Sequence, residues 1–339
     1  MASWSEILNE LDDVVGKIQA GTLPADTSPF DYVRRKYLAA LNKHTGRNVI
    51  VYATNWASGE PGRISISPED MPGFMEVIRG VKTRELDLIL HSPGGSGEAA
   101  EAIVKYLRSK FDDIRVIIPH AAMSAATMLA CAGNRIVMGR HSFIGPIDPQ
   151  MIVRTEFGFT AVPAHAVLQQ FERAKKECKD NQDNVVAWIP MLRQYGPALL
   201  VQCTIAQDLS ISLATEWLAK YMFAKPGANL LQRRAARRNA KKVARRLADH
   251  SKFKTHGRFL SREDARKLGL SEIDDLESSQ EMQEAVLSVF HATNHTFAAV
   301  PVVKLIENHL GKAFMMLRPS ATMSRATVPP PAAPPPGPP

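Results

Sequence analysis

Hydrophobic and polar positions follow two rhythms along this chain. Between residues 86 and 139, three predominantly apolar runs alternate with two stretches of helical period. The runs are LDLIL (86–90), IRVIIP (114–119) and RIVMG (135–139); the helical stretches are GEAAEAIVKYLRSK (97–110) and SAATMLACAG (124–133). A strand with one wet face alternates polar with apolar residues. These runs do not, which predicts strands covered on both faces. Strand and helix in strict alternation predict an α/β fold with a mostly parallel sheet, joined by right-handed crossovers. Ahead of this block, DYVRRKYLAALNKHTG reads as a helix closed by Gly46. NVIVYAT reads as a further strand and PEDMPGFMEVIRGV as a short helix. After the block the period is helical over 164–179, 185–223, 230–248, a segment capped by Ser261, and 281–317. The expected division is an N-terminal arm (1–30), an α/β core (31–225), a C-terminal helical region (226–317) and a tail (318–339). That tail, RPSATMSRATVPPPAAPPPGPP, reads as a Pro-rich disordered segment.

Composition narrows the class. Of 339 residues, 45% are apolar and 22% charged, as in ordinary globular chains. Three widely spaced cysteines without a CxxC pair argue against a disulfide framework and a zinc site. They fit a reducing compartment. The first residues, MASWSEILNELDDVV, lack the basic-then-apolar order of a secretory leader. No apolar run approaches the ~20 residues of a membrane span. A cytoplasmic protein is therefore expected.

The net charge of +8 is concentrated in RRAARRNAKKVARR (233–246). Basic pairs recurring every fourth residue form one slowly drifting stripe on a helix. It reads as a solvated face that suits an acidic partner or an anionic membrane surface. Without an aromatic platform or a helix-turn-helix pattern, nucleic acid is not the expected partner.

Candidate chemistry sits in two loops. In parallel sheets, ligands bind beyond the carboxyl ends of the strands. One such end carries Ser92-Pro93-Gly94-Gly95-Ser96; the other, PHAAMSAATMLA, places Ser124 at the mouth of a helix. The first amides of a helix have no intrahelical partner. The N–H groups of Ala125 and Gly95 are thus candidate donors to an oxyanion beside a Ser124 nucleophile. Gly94 and Pro93 would line the substrate path. Alternatively, Ser124 is simply a helix cap and the glycines a turn. G-x-S-x-G is absent, which argues against an α/β-hydrolase elbow. So is GxxxxGK[ST], and no cofactor or metal is expected.

Taken together, LILHSPGGSGEAAEAIVKYL and VIIPHAAMSAATMLACAGNRIVMGRHSFIGPID resemble the Clp protease proteolytic subunit and signal peptide peptidase A. The whole chain from about 30 to 315 is most similar to the serine dehydrogenase proteinase family. HTGRNVIVY, FIGPIDPQ, KTHGRFLSREDARKLGL and VVKLIENHLGKAF add to that likeness. The resemblance implies a Clp/crotonase-like fold of repeated ββα/βαβ units with a C-terminal helical extension. It also implies a homo-oligomer and hydrolysis of peptide or protein substrates through an acyl-enzyme on Ser124.

The base is left open. Pro146 stands where Clp-type subunits carry a histidine. Signal peptide peptidase A relatives use a lysine, which must be buried to titrate near neutrality. On 164–179 Lys175 lies at the edge of the apolar stripe, whereas Lys176 points away, so Lys175 is the lysine candidate. His141 is the alternative base, with His120 and His256 behind it, and Asp148 is a candidate orienter. Two other readings share the fold or its features: an acyl-CoA-type hydratase or isomerase, and a non-catalytic assembly or scaffold protein.

Overall fold

The computed structural model describes residues 3–58, 61–155 and 158–318. Ser3 accepts from the Glu6 N–H and opens α1 (Trp4–Gln19). Ser28, followed by Pro29, opens α2 (Pro29–Thr45), which Gly46 closes at φ 69°. Then come β1 (Asn48–Thr54), α3 (Pro61–Ile64), α4 (Met71–Ile78), β2 (Glu85–His91), α5 (Gly97–Lys110) and β3 (Asp113–Ile118). They are followed by β4 (Ala121–Ala122), α6 (Ala125–Cys131), β5 (Arg135–Met138) and β6 (Phe143–Ile144). A hairpin of β7 (Gln150–Thr155) and β8 (Gly158–Pro163) leads to α7 (Ala164–Asp180), α8 (Asn184–Leu192) and α9 (Leu199–Trp217). The chain continues through α10 (Leu230–Leu247), α11 (His250–Phe253), β9 (Leu260–Ser261), α12 (Arg262–Leu268) and β10 (Ile273–Asp275). It ends with α13 (Gln280–Ala299), β11 (Val302–Asn308) and β12 (Ala313–Leu317).

The main sheet has the order β10-β5-β3-β2-β1-β11-β12. β10, β5, β3, β2 and β1 are mutually parallel. Successive residues of one strand enter different cores. Leu88, Val116 and Ile136 pack with α5, α6, α9 and α10. Ile89, Ile117 and Val137 pack with Leu38 and Leu41 of α2 and Val286 and Val289 of α13. Each such side chain contributes roughly 1.5–3 kcal/mol when fully buried, and both faces must be apolar to collect it.

The C-terminal part carries the expected helices in α10 to α13 but ends in strands. Residues 302–317 hold β11, antiparallel to β1, and β12, antiparallel to β11, and β10 closes the opposite edge of the sheet. The expected core boundary at 225 therefore cuts through the sheet. The expected helix over 185–223 is interrupted between α8 and α9, where Gly196 and Pro197 fall. All but Arg318 of the proposed Pro-rich tail lies outside the described residues.

His91 ends β2 only 5% exposed, within hydrogen-bonding reach of the Ala121 carbonyl (3.1 Å) and stacked on Trp56. Burial, then the nearby His120, pushes its pKa down to about 3. In the unfolded chain it titrates near 6.5, so between those values the unfolded state binds more protons. Stability should therefore fall as pH drops from 6.5 toward 3, by up to about 1.4 kcal/mol per pH unit from this group. Melting temperature against pH should flatten in His91→Asn; an unchanged slope refutes the assignment.

Candidate active site

The crossover from β2 to α5 builds half of the site. Past His91 the chain stays extended and is held on both sides. Ser92 N–H donates to Ala121 O (3.1 Å), and Met123 N–H donates to Ser92 O (3.0 Å). On the far side, Ile66 bridges Gly95 in parallel, giving its N–H to Gly94 O (2.7 Å) and receiving Ser96 N–H (2.9 Å). In a parallel bridge the bonds of Ile66 go to residues 94 and 96, so Gly95's own N–H faces away from Ile66. It has no protein partner among the described residues. Gly94 and Gly95 sit at φ 97° and 152°. A Cβ on Gly94 would lie 2.5 Å from Met123 O and 2.8 Å from Ser124 Cβ, so only glycine brings this loop so close to the serine. Ser96 accepts from Ala99 N–H and starts α5.

The crossover from β3 to α6 builds the other half. Ser124 stands at the mouth of α6 with φ 52° and ψ −120°, a conformation that is strained for any residue with a Cβ. It does not cap its helix through its side chain, so the hydroxyl is not engaged by its own backbone. Ala126 N–H turns back to Met123 O, while the Ala125 N–H has no protein partner among the described residues. Two unpartnered amides therefore flank a half-buried serine, an arrangement suited to stabilising charge on an oxygen.

The loop after β6 is tied to α6. Thr127 Oγ1 lies 2.8 Å from Ala122 O and 3.0 Å from Gly145 O, and accepts the Gly145 N–H at 3.0 Å. Three residues on, Asp148 is 2% exposed. Its two carboxylate oxygens meet two histidines from beyond α10: His250 Nδ1 at 2.8 Å and His256 Nδ1 at 2.9 Å. Lys254, which precedes the second histidine, is the other non-glycine residue at positive φ (68°) among those described. With Nδ1–H given to the carboxylate, a neutral His256 presents a bare Nε2.

Ser124, Ala125, Pro93, Gly94, Gly95 and His256 all line one cavity of about 720 Å³. Its remaining wall comes largely from β7 and α9, including Met151, Ile152, Ile205 and Leu209. The five candidates from the two loops are thus gathered in one place.

The two named bases are not. Lys175 is 65% exposed on α7 and bonds Glu172 at 3.1 Å, outside the cavity lining. An exposed amine paired with a surface carboxylate, away from the cavity of Ser124, does not reach that serine, which corrects its reading as base. The stripe of α7 does turn Ala164, Val167 and Ala174 inward, but toward β8 and α9. His141 is exposed, with its ring against Gly139, and also lies outside the cavity. His256 and Asp148, weighed only as secondary candidates, make the contacts those two lack. No local motif announces His256, because 132 residues separate it from Ser124.

Residues 63–192 match the family of ClpP-like SDH-type serine proteinases. An uncharacterised protein of Methanocaldococcus jannaschii is 32% identical over 159 residues, 45% of this chain and 53% of that protein. A second from the same organism is 33% identical over 117 residues, 34% of this chain and 33% of that protein. The match thus spans about half the length of the first relative and a third of the second. Among solved structures, a mutant of 1510-N membrane-bound stomatin-specific protease aligns with TM-score 0.38 and 15% identity, over 65% of this chain and 79% of that one. Another mutant of it, in complex with a substrate peptide, gives 0.34 and 16%, over 60% and 65%. Those two likenesses are too distant to bear on the chemistry. The stretch 63–192, which the model of the ClpP-like SDH-type serine proteinases matches, holds the diglycine loop, Ser124 and Asp148.

Proposed function

We propose that the protein is a serine peptidase in which Ser124 is the nucleophile, His256 its base and Asp148 the group that orients His256. The observation that carries this reading is one cavity lined by a serine, two loops with unpartnered amides and a histidine held on a buried carboxylate. Ser124 Oγ attacks the scissile carbonyl carbon as its proton passes to His256 Nε2. The carbonyl π-electrons move to oxygen, where the Gly95 and Ala125 N–H groups receive the charge. His256 then protonates the leaving amine, and the acyl-enzyme is hydrolysed by water activated through the same ring. Asp148 keeps the proton on Nδ1 and stabilises the imidazolium. Ile152, Ile205 and Leu209 supply an apolar wall for substrate side chains.

The hydratase reading requires placed carboxylates. Glu98 is the only carboxylate among the lining residues, and its side chain is engaged by Ser96 Oγ at 2.8 Å. A fluorophosphonate probe tests the assignment directly. Labelling should occur in the native chain and vanish in Ser124→Ala; a folded chain that never labels rejects the peptidase. For the base, His256→Ala should lower the labelling rate by about 10³-fold or more, in the range of general-base loss. Lys175→Ala and His141→Ala should label at the native rate, and a comparable loss in either restores that residue as base.

A further inference from the structure

We infer that the outward face of α10 is a docking surface for an anionic phospholipid bilayer. The helix carries eight basic residues between Arg233 and Arg246 and no acidic one. Among the described residues, none of the eight forms an ion pair. Arg233 and Arg246 are engaged only by backbone carbonyls, of Ala228 and Leu268. A structural role in holding the fold together would leave partners on these cations; solvent alone surrounds most of them.

Their placement is directional. At about 100° per residue, Leu231, Arg234, Arg238, Lys241, Lys242 and Arg245 fall within an arc of roughly 100°. Ala240, Val243, Ala244 and Leu247 face the opposite way and are buried. From Arg234 to Arg245 the array runs about 17 Å along the axis. At its start, Leu230 and Leu231 are 65% and 73% exposed, beside the cations rather than in the core. Around the corner, Arg233 and Arg237 border a cleft of mixed charge, lined also by Lys220, Lys225, Asp112 and Glu216, so the array of one sign is the outward face. Nucleic acid would satisfy the charge and leave the leucines in water. A bilayer takes both, with headgroup phosphates on the cations and the leucines in the acyl boundary. No helix among the described residues is long and apolar enough to cross a membrane, so the contact is peripheral.

The test uses the full chain and vesicle co-sedimentation. Wild-type protein should pellet with equimolar phosphatidylserine–phosphatidylcholine vesicles, not with pure phosphatidylcholine, and should be released by salt. Arg234→Glu, Arg238→Glu, Lys241→Glu and Arg245→Glu together should weaken binding by roughly tenfold or more. Leu230→Ser with Leu231→Ser should weaken it severalfold and leave the salt dependence intact. Both variants alter exposed positions, so unchanged melting temperatures should accompany the losses. Equal pelleting with both vesicle types, undiminished binding by either variant, or tighter binding of wild type to duplex DNA than to the vesicles at equal salt overturns the inference. Ser124→Ala should bind vesicles like wild type, which separates this surface from the peptidase assignment.

Discussion

Ser124→Ala is expected to lower kcat for peptide hydrolysis by roughly a millionfold, the scale on which a serine nucleophile contributes when amides and binding survive. The companion Ser124→Gly should be equally inactive and yet more stable than wild type. The reason lies in the backbone. Ser124 holds φ 52° and ψ −120°. Such conformations cost of order 1–3 kcal/mol for a residue with a Cβ and far less for glycine. Alanine keeps the Cβ and therefore the strain, so its unfolding free energy should match wild type. Glycine releases the strain, offset by its larger unfolded-state entropy, and a net gain of about 1 kcal/mol is expected. Urea denaturation of the three proteins measures this. If glycine proves no more stable than alanine, the turn is not strained. If either variant hydrolyses peptides at a native rate, the nucleophile lies elsewhere.

The second large effect concerns Lys304, fully buried on β11. Its Nζ lies 2.5 Å from Asp70 Oδ1 and donates to Ser65 O at 2.7 Å. Asp70, equally buried, also receives the Tyr52 hydroxyl at 2.6 Å and the Ser67 N–H at 3.0 Å. Burial, reinforced by Asp70, holds the Tyr52 pKa well above its usual value, which keeps that hydroxyl a donor. Lys304→Met strands a carboxylate in the interior and should lower the unfolding free energy by about 3–5 kcal/mol. Lys304→Met combined with Asp70→Leu should regain much of that loss, since an apolar pair of similar volume removes both desolvation costs. A single variant within about 1 kcal/mol of wild type would show that the pair is not desolvated. Ser65 borders the cavity of Ser124, so on the proposed assignment activity should fall in the single variant along with stability.

The same pair explains which part of the fold was hidden in the sequence. VVKLIEN has a lysine and a glutamate at positions that a buried strand normally fills with apolar residues, so it reads as amphipathic helix. Lys304 finds Asp70, and Glu307 finds Arg34 and Arg35, partners more than two hundred residues away. Long-range pairing of this kind leaves no periodic trace. By contrast, β2, β3 and β5 were legible because both their faces are apolar. The two loops were legible because glycine and a helix-opening serine mark local backbone geometry. Lys175 misled for a physical reason: a stripe of helical period says that a face is covered, not what covers it. His256 ranked behind other candidates because Asp148, which it meets, is joined to it only through the tertiary fold.

That separation has a bearing on biosynthesis. On the His256 assignment, a ribosome-bound chain made as far as residue 249 already holds the nucleophile, both amides and the carboxylate, but neither imidazole that binds that carboxylate. The sheet is then also without β11 and β12. On that assignment translation works as a timer: the nascent polypeptide lacks its base until the segment after α10 has emerged and met Asp148.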